Sequence, residues 1–103
     1  MALKNSFDGK SWNEWEVDLK TRKVTAINRA KVELKDEIEF QKFIQFLFFT
    51  QWLNLKKYAN ENGVFIIGDI PIYVAGDSAD VWANPKNFLL DKDCNPIEVA
   101  GCP

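Results

Sequence analysis

An α/β fold, in which one long helix hands the chain to a buried strand of parallel type, is the architecture this sequence predicts. Three observations predict it. Residues 35–62 run without Gly or Pro, and Phe40, Phe43, Ile44, Leu47, Phe48, Trp52, Leu55 and Ala59 recur there at helical spacing. Gly63 then offers a left-handed cap, and the apolar run Val64-Phe65-Ile66-Ile67 follows after a very short connection, as in α/β units. Directly after that run stands Gly68-Asp69-Ile70-Pro71, which puts an acid at a strand's carboxyl end, where parallel α/β folds carry their chemistry.

The remaining elements follow in chain order. Asp8-Gly9 marks a turn, and Ser11 suits the N-cap of a short helix whose Trp12, Trp15 and Leu19 share one face. A polar stretch, residues 20–23, separates it from a second segment over about 24–34. In the long helix, Asp36, Glu37 and Glu39 near the start and Lys56 and Lys57 near the end complement the helix dipole. Phe46, Phe49 and Leu53 add a second apolar stripe, so the middle of this helix is apolar around most of its circumference. One small domain buries too little surface to cover both faces, which predicts packing against elements outside this sequence or against a second copy. Further on, Asp77 or Ser78 can cap a short helical turn through Val81 and Trp82 that Asn84-Pro85 ends. Residues 88–91 and 97–99 read as two extended pieces joined by a turn over 91–96.

Composition narrows the function classes. With 13 basic and 15 acidic residues the net charge is −2, so no general electrostatic attraction to nucleic acid or an anionic membrane exists. The expected substrate is neutral or held by local groups. Aromatic residues make up 14%, four of them Trp, a share that serves a core first and sugar stacking second. Cys94 and Cys102 form no CxxC pair, and the absence of histidine argues against a zinc site. No signal-peptide pattern or bilayer-length apolar run is present, so a cytoplasmic setting with free thiols is expected.

The segment over residues 68–85 carries the functional signal. Gly68 permits close approach of a backbone or ligand, and Pro71 fixes the chain and biases Ile70 toward an extended conformation, so the Asp69 carboxylate is held rigidly. It can accept hydrogen bonds from sugar hydroxyls, orient an arginine beside a catalytic carboxylate, act as acid or base, or cap local backbone amides. Spacing leaves these open. Glycosidic chemistry of the usual kind needs two carboxyl groups on opposite sides of a sugar bond, about 5 Å apart in retaining enzymes and further in inverting ones, and Asp69 with Asp77 or Asp80 on one local segment lacks opposing walls. Asp77, Ser78 and Asp80 suit a helix start, Tyr73 and Trp82 suit a core, and Asp91 and Asp93 suit a turn better than a cation loop.

Residues 68–85, with 40–46, Gln51-Trp52 and Tyr58-Ala59-Asn60, resemble amylomaltase, the 4-alpha-glucanotransferase of glycoside hydrolase family 77. The similarity runs along the whole chain, including Met1-Ala2-Leu3-Lys4 and Val99-Ala100-Gly101, so the sequence is expected to be an internal fragment of a longer enzyme. The resemblance implies a (β/α)8 TIM barrel with a helical insertion: residues 1–34 would be the insertion, and 35–103 the long helix, barrel strand and following loop. It implies retaining transfer of α-1,4-glucan segments between maltooligosaccharides, with no metal or organic cofactor. Asp69 falls in the first short motif region of the wider α-amylase group, after the third barrel strand, and the histidine usual in amylases is absent near Tyr73 and Val74, as in family 77. Asp69 is accordingly expected to be a substrate-side or structural carboxylate. The nucleophile, the acid/base and a further aspartate belong to later strands, so this chain holds no catalytic residue and is expected to be inactive alone.

Two alternatives accompany this reading. A non-catalytic glucan-binding or helix-mediated interaction module, self-associating through the stripe of Phe46, Phe49 and Leu53, would use the same aromatics. An α-amylase-type hydrolase is disfavoured by the missing histidine.

Overall fold

A computed structural model describes residues 1–98 and 101. The helices are α1 (Ala2–Ser6), α2 (Val17–Lys20), α3 (Val24–Glu33), α4 (Lys35–Glu61) and α5 (Ala79–Ala83), with single 3-10 turns at Trp12–Glu14 and Pro85–Asn87. A reversal separates α1 from the first 3-10 turn, with Asp8 and Gly9 both at positive φ, 53° and 80°. The expected Ser11-capped helix is divided. Trp15 adopts extended backbone (φ −72°, ψ 166°) between the 3-10 turn and α2. Its indole N–H bonds Lys10 O at 3.1 Å. Trp12, Trp15 and Leu19 are nevertheless all buried, so the apolar face survives the break.

The long helix is present over nearly its expected span. Its end is a Schellman motif: Gly63, at φ 75°, donates to Asn60 O at 3.1 Å, and Val64 N–H reaches Ala59 O at 2.9 Å. None of its residues is buried.

The core lies elsewhere. Trp12, Trp15, Leu19, Ala26, Ala30 and Val81 form one buried cluster, and Leu3, Phe7, Trp82, Phe88 and Leu90 pack around it. Phe7 stacks on Trp15 at 5.4 Å between ring centroids, and Trp82 meets Trp15 edge-on at 5.7 Å. This core therefore joins the first third of the chain to the later part of the motif and the segment after it. Residues between them, including all of α4 and 64–75, lie outside it.

The expected strand at 64–67 is not formed, and no strand occurs among the described residues. The physical reason is pairing. A strand exists by hydrogen bonding to a neighbour, and among the described residues none pairs with these to supply one. Phe65 is 80% and Ile67 95% exposed, where a buried parallel strand was expected. The two later extended pieces meet through one antiparallel bridge, Leu90 with Pro96, and through Ile97 N–H to Leu89 O at 2.9 Å. Val99, at the end of the second piece, lies outside the described residues, as does Cys102; Cys94 is a free, half-buried thiol. No helix among the described residues is long and apolar enough to cross a membrane.

Candidate functional site

Asp69 stands on an irregular stretch, residues 64–71, that leaves the capped end of α4. It is exposed, and its Oδ1 accepts the Ile70 N–H at 2.8 Å, a local bond of the amide-capping kind. The other oxygen has no protein partner among the described residues. A Cβ placed on Gly68 would meet nothing within 4 Å, so among the described residues no backbone makes the close approach that the glycine permits. Ile70, Ile72 and Tyr73 beside it are 85%, 89% and 71% exposed.

Beyond Ala75 the same motif is firmly held. The Ser78 Oγ accepts the Val81 N–H at 3.3 Å, so Ser78 rather than Asp77 caps α5. The Asp77 carboxylate instead faces the start of the chain, where it pairs with Lys4 and accepts the Trp12 N–H at 3.3 Å. The hydrogen bond from Lys4 is the largest influence holding this carboxyl below the usual carboxylate range, against slight burial; Ser11 and Trp12 also favour its charged form. The Trp12 indole N–H donates to Gly76 O at 2.8 Å. Arg22, at φ 60°, donates to Trp82 O at 2.6 Å, and the Trp82 indole returns a bond to Leu19 O at 3.1 Å.

The remaining acids have structural partners or positions. Asp80 sits in the first turn of α5. Asp91 Oδ1 accepts from the Asp93 and Asn95 amides at 2.8 and 2.9 Å, as expected of a turn, and the bond from the Asn95 amide is the largest influence holding this carboxyl below the usual carboxylate range. Among the described residues no group of three or more His, Cys, Asp or Glu could hold a metal ion.

Two open grooves flank the held part of the motif. One, about 690 Å³, runs between Ile72, Tyr73 and Val74 and the Phe88–Leu90 segment; the other, about 470 Å³, lies between α1, α3, α4 and α5 over Lys4, Trp12 and Asp77. Asp69 lines neither. One free carboxylate on an exposed elbow can accept hydroxyl hydrogen bonds, but displacement at a glycosidic carbon requires a second carboxyl group across the bond.

Lys4, Trp12, Arg22 and Asp77 hold the motif in place, and sequence spacing identified none of them in that role. Their partners are separated by 60 or more positions, which no local pattern reports.

An acid elbow between a long helix and a tryptophan-rich helical core is an arrangement shared with solved enzymes. An amylomaltase from Streptococcus agalactiae, solved in complex with acarbose, matches all of the chain with a TM-score of 0.93 at 40% identity, over 21% of its own length. The chain belongs to the 4-alpha-glucanotransferase family, whose model matches residues 1–103. It is 54% identical to the 4-alpha-glucanotransferase of Clostridium butyricum over 104 residues and 48% identical to that of Aquifex aeolicus over 103. It spans about a fifth of the length of these curated relatives, 21% of each.

Proposed function

We propose that this chain works as part of a longer 4-alpha-glucanotransferase that moves α-1,4-glucan segments between maltooligosaccharides by a retaining mechanism, and that the 103 residues alone are inactive. The observation that carries this is the match along the whole chain to enzymes of that name, joined to an acid elbow whose one protein hydrogen bond among the described residues is local.

In this reading residues 1–34 are a helical insertion and 35–103 contribute the long helix, a barrel strand and the loop after it. Residues 64–67 pair as a parallel strand when the other strands of a (β/α)8 barrel are beside them. The exposure of Phe65 and Ile67, 80% and 95%, supports this, since these large apolar side chains are left uncovered by the described residues. Asp69 is the substrate-side carboxylate, its free oxygen accepting glucose hydroxyls. Two cysteines in 103 residues leave the fold reliant on packing, which suits a cytoplasmic setting.

A second reading rests on one observation. Phe46, Phe49 and Leu53 are 64%, 57% and 61% exposed on α4, so the isolated chain self-associates through that face, as an interaction module would. Incubation with maltotriose separates the readings. The complete polypeptide is expected to yield glucose and longer maltooligosaccharides without new reducing ends, and the 103-residue chain to yield neither. Disproportionation by the short chain overturns its inactivity; none by the complete polypeptide overturns the proposed function.

A further inference from the structure

We propose that Asn62-Gly63, at the exposed end of α4, is a site of spontaneous deamidation whose rate is set by opening of the helix's last turn. This holds whether or not the chain transfers glucans.

The chemistry needs an asparagine followed by an unhindered peptide nitrogen. That nitrogen, once it has lost its proton to water or hydroxide, attacks the side-chain Cγ, and the new N–Cγ bond closes a succinimide ring. The Cγ–Nδ2 bond breaks, and the nitrogen leaves as ammonia after taking up a proton. Water then opens the ring at either carbonyl, giving an aspartyl or an isoaspartyl residue with nothing oxidised or reduced. Asn62 is the one asparagine of the sequence that precedes glycine, so no Cβ crowds the closing ring. Asn84 and Asn95 precede prolines, whose nitrogens carry no hydrogen to lose. Asp8-Gly9 offers a similar nitrogen to a carboxylate, a far poorer electrophile than an amide.

The fold restrains both reacting groups. The Gly63 N–H is spent on Asn60 O at 3.1 Å, and Asn62 Nδ2 donates to Tyr58 O at 2.8 Å, which draws the side chain back over the preceding turn. The backbone at Asn62 (φ −98°, ψ 16°) and Gly63 (φ 75°) is held by the Schellman bonds, including Val64 N–H to Ala59 O at 2.9 Å. Attack therefore waits for these bonds to open. Both residues are exposed at a helix terminus, where opening costs far less than unfolding.

The product alters the cap that delayed it. A carboxylate at position 62 cannot donate to Tyr58 O, and it repels the last carbonyls at the negative end of α4. An isoaspartyl residue adds a methylene to the main chain between α4 and residues 64–67, which breaks the spacing of the Schellman bonds.

The test holds the 103-residue chain at mildly alkaline pH, folded and in guanidinium chloride, and maps its peptides by mass spectrometry. In the unfolded chain the mass gain of an amide-to-acid exchange is expected first in the peptide carrying Asn62-Gly63. In the folded chain the same gain is expected about fivefold or more slower, the ratio that opening one helix cap implies. Asn62→Gln, which would have to close a larger ring, is expected to show no gain there. In Asn62→Asp the Val64 amide is expected to exchange its hydrogen about two- to fivefold faster, with the amides of α3 unchanged. Equal rates of modification in the folded and unfolded chain overturn the gating by α4. An earlier gain at another asparagine of the unfolded chain, or none at 62, overturns the site. An unchanged Val64 rate in Asn62→Asp overturns the effect on the cap.

Discussion

Asp69 and Asp77 lie eight positions apart on one motif and have opposite circumstances. Asp69 has one oxygen on its neighbour's amide and one free, whereas Asp77 is saturated by Lys4 and Trp12. In the complete polypeptide, Asp69→Asn is expected to lower kcat/KM by roughly ten- to a hundredfold, the range of a lost charged hydrogen bond, measured with maltotriose. Asp77 has a pH signature as well. Its carboxyl titrates lower in the folded chain than in the unfolded one, so its contribution to stability is complete above the unfolded value, near pH 4, and is lost as pH falls through the folded value. Urea midpoints measured from pH 5 down to pH 2 are expected to fall less steeply in Lys4→Met than in the unaltered chain. Parallel slopes would refute that linkage. The placement of Asp69 behind a glycine and before a near proline was legible in the sequence, because those residues act locally. The partners of Asp77 were not, because Lys4 and Trp12 reach it through the fold rather than along the chain.

At the scale of elements, α4 was the most legible part of the chain. An uninterrupted helical period and a following glycine specify it by themselves, and Gly63 takes the positive φ that the cap requires. Gly63→Ala forces a Cβ into that left-handed conformation and is expected to cost about 1 kcal/mol, read as a lower urea midpoint with an unchanged slope. A midpoint equal to the unaltered chain's would show that the cap contributes nothing. The strand at 64–67 is not formed among the described residues for a physical reason: an apolar run states that burial is wanted, while hydrogen-bonded partners decide whether a strand exists. The Trp12, Trp15 and Leu19 face was legible by spacing, but its division into a 3-10 turn and α2 was not, since the indole of Trp15 turns back to Lys10.

The whole molecule is too open for its length. Its radius of gyration is 17.8 Å, against about 13 Å for a compact chain of this size. Its accessible surface is 8563 Å², where a compact monomer of 11.9 kDa would expose about 6,000 Å². The excess, roughly 2,600 Å², is about three times what one side of a standard interface covers, so pairing through one α4 face leaves most of it exposed. Light scattering of the isolated chain is expected to show a concentration-dependent oligomer that Phe46→Glu with Phe49→Glu weakens; a stable monomer at all concentrations contradicts this. The larger body of the proposed enzyme would cover such a surface more completely than a second copy. The most direct measurement is therefore replacement of the matching segment of the Clostridium butyricum 4-alpha-glucanotransferase by this chain, followed by incubation with maltotriose. The hybrid is expected to form glucose and longer maltooligosaccharides, with the yield cut at least tenfold by Asp69→Asn. A folded hybrid that forms neither product, or one indifferent to Asp69→Asn, would contradict it.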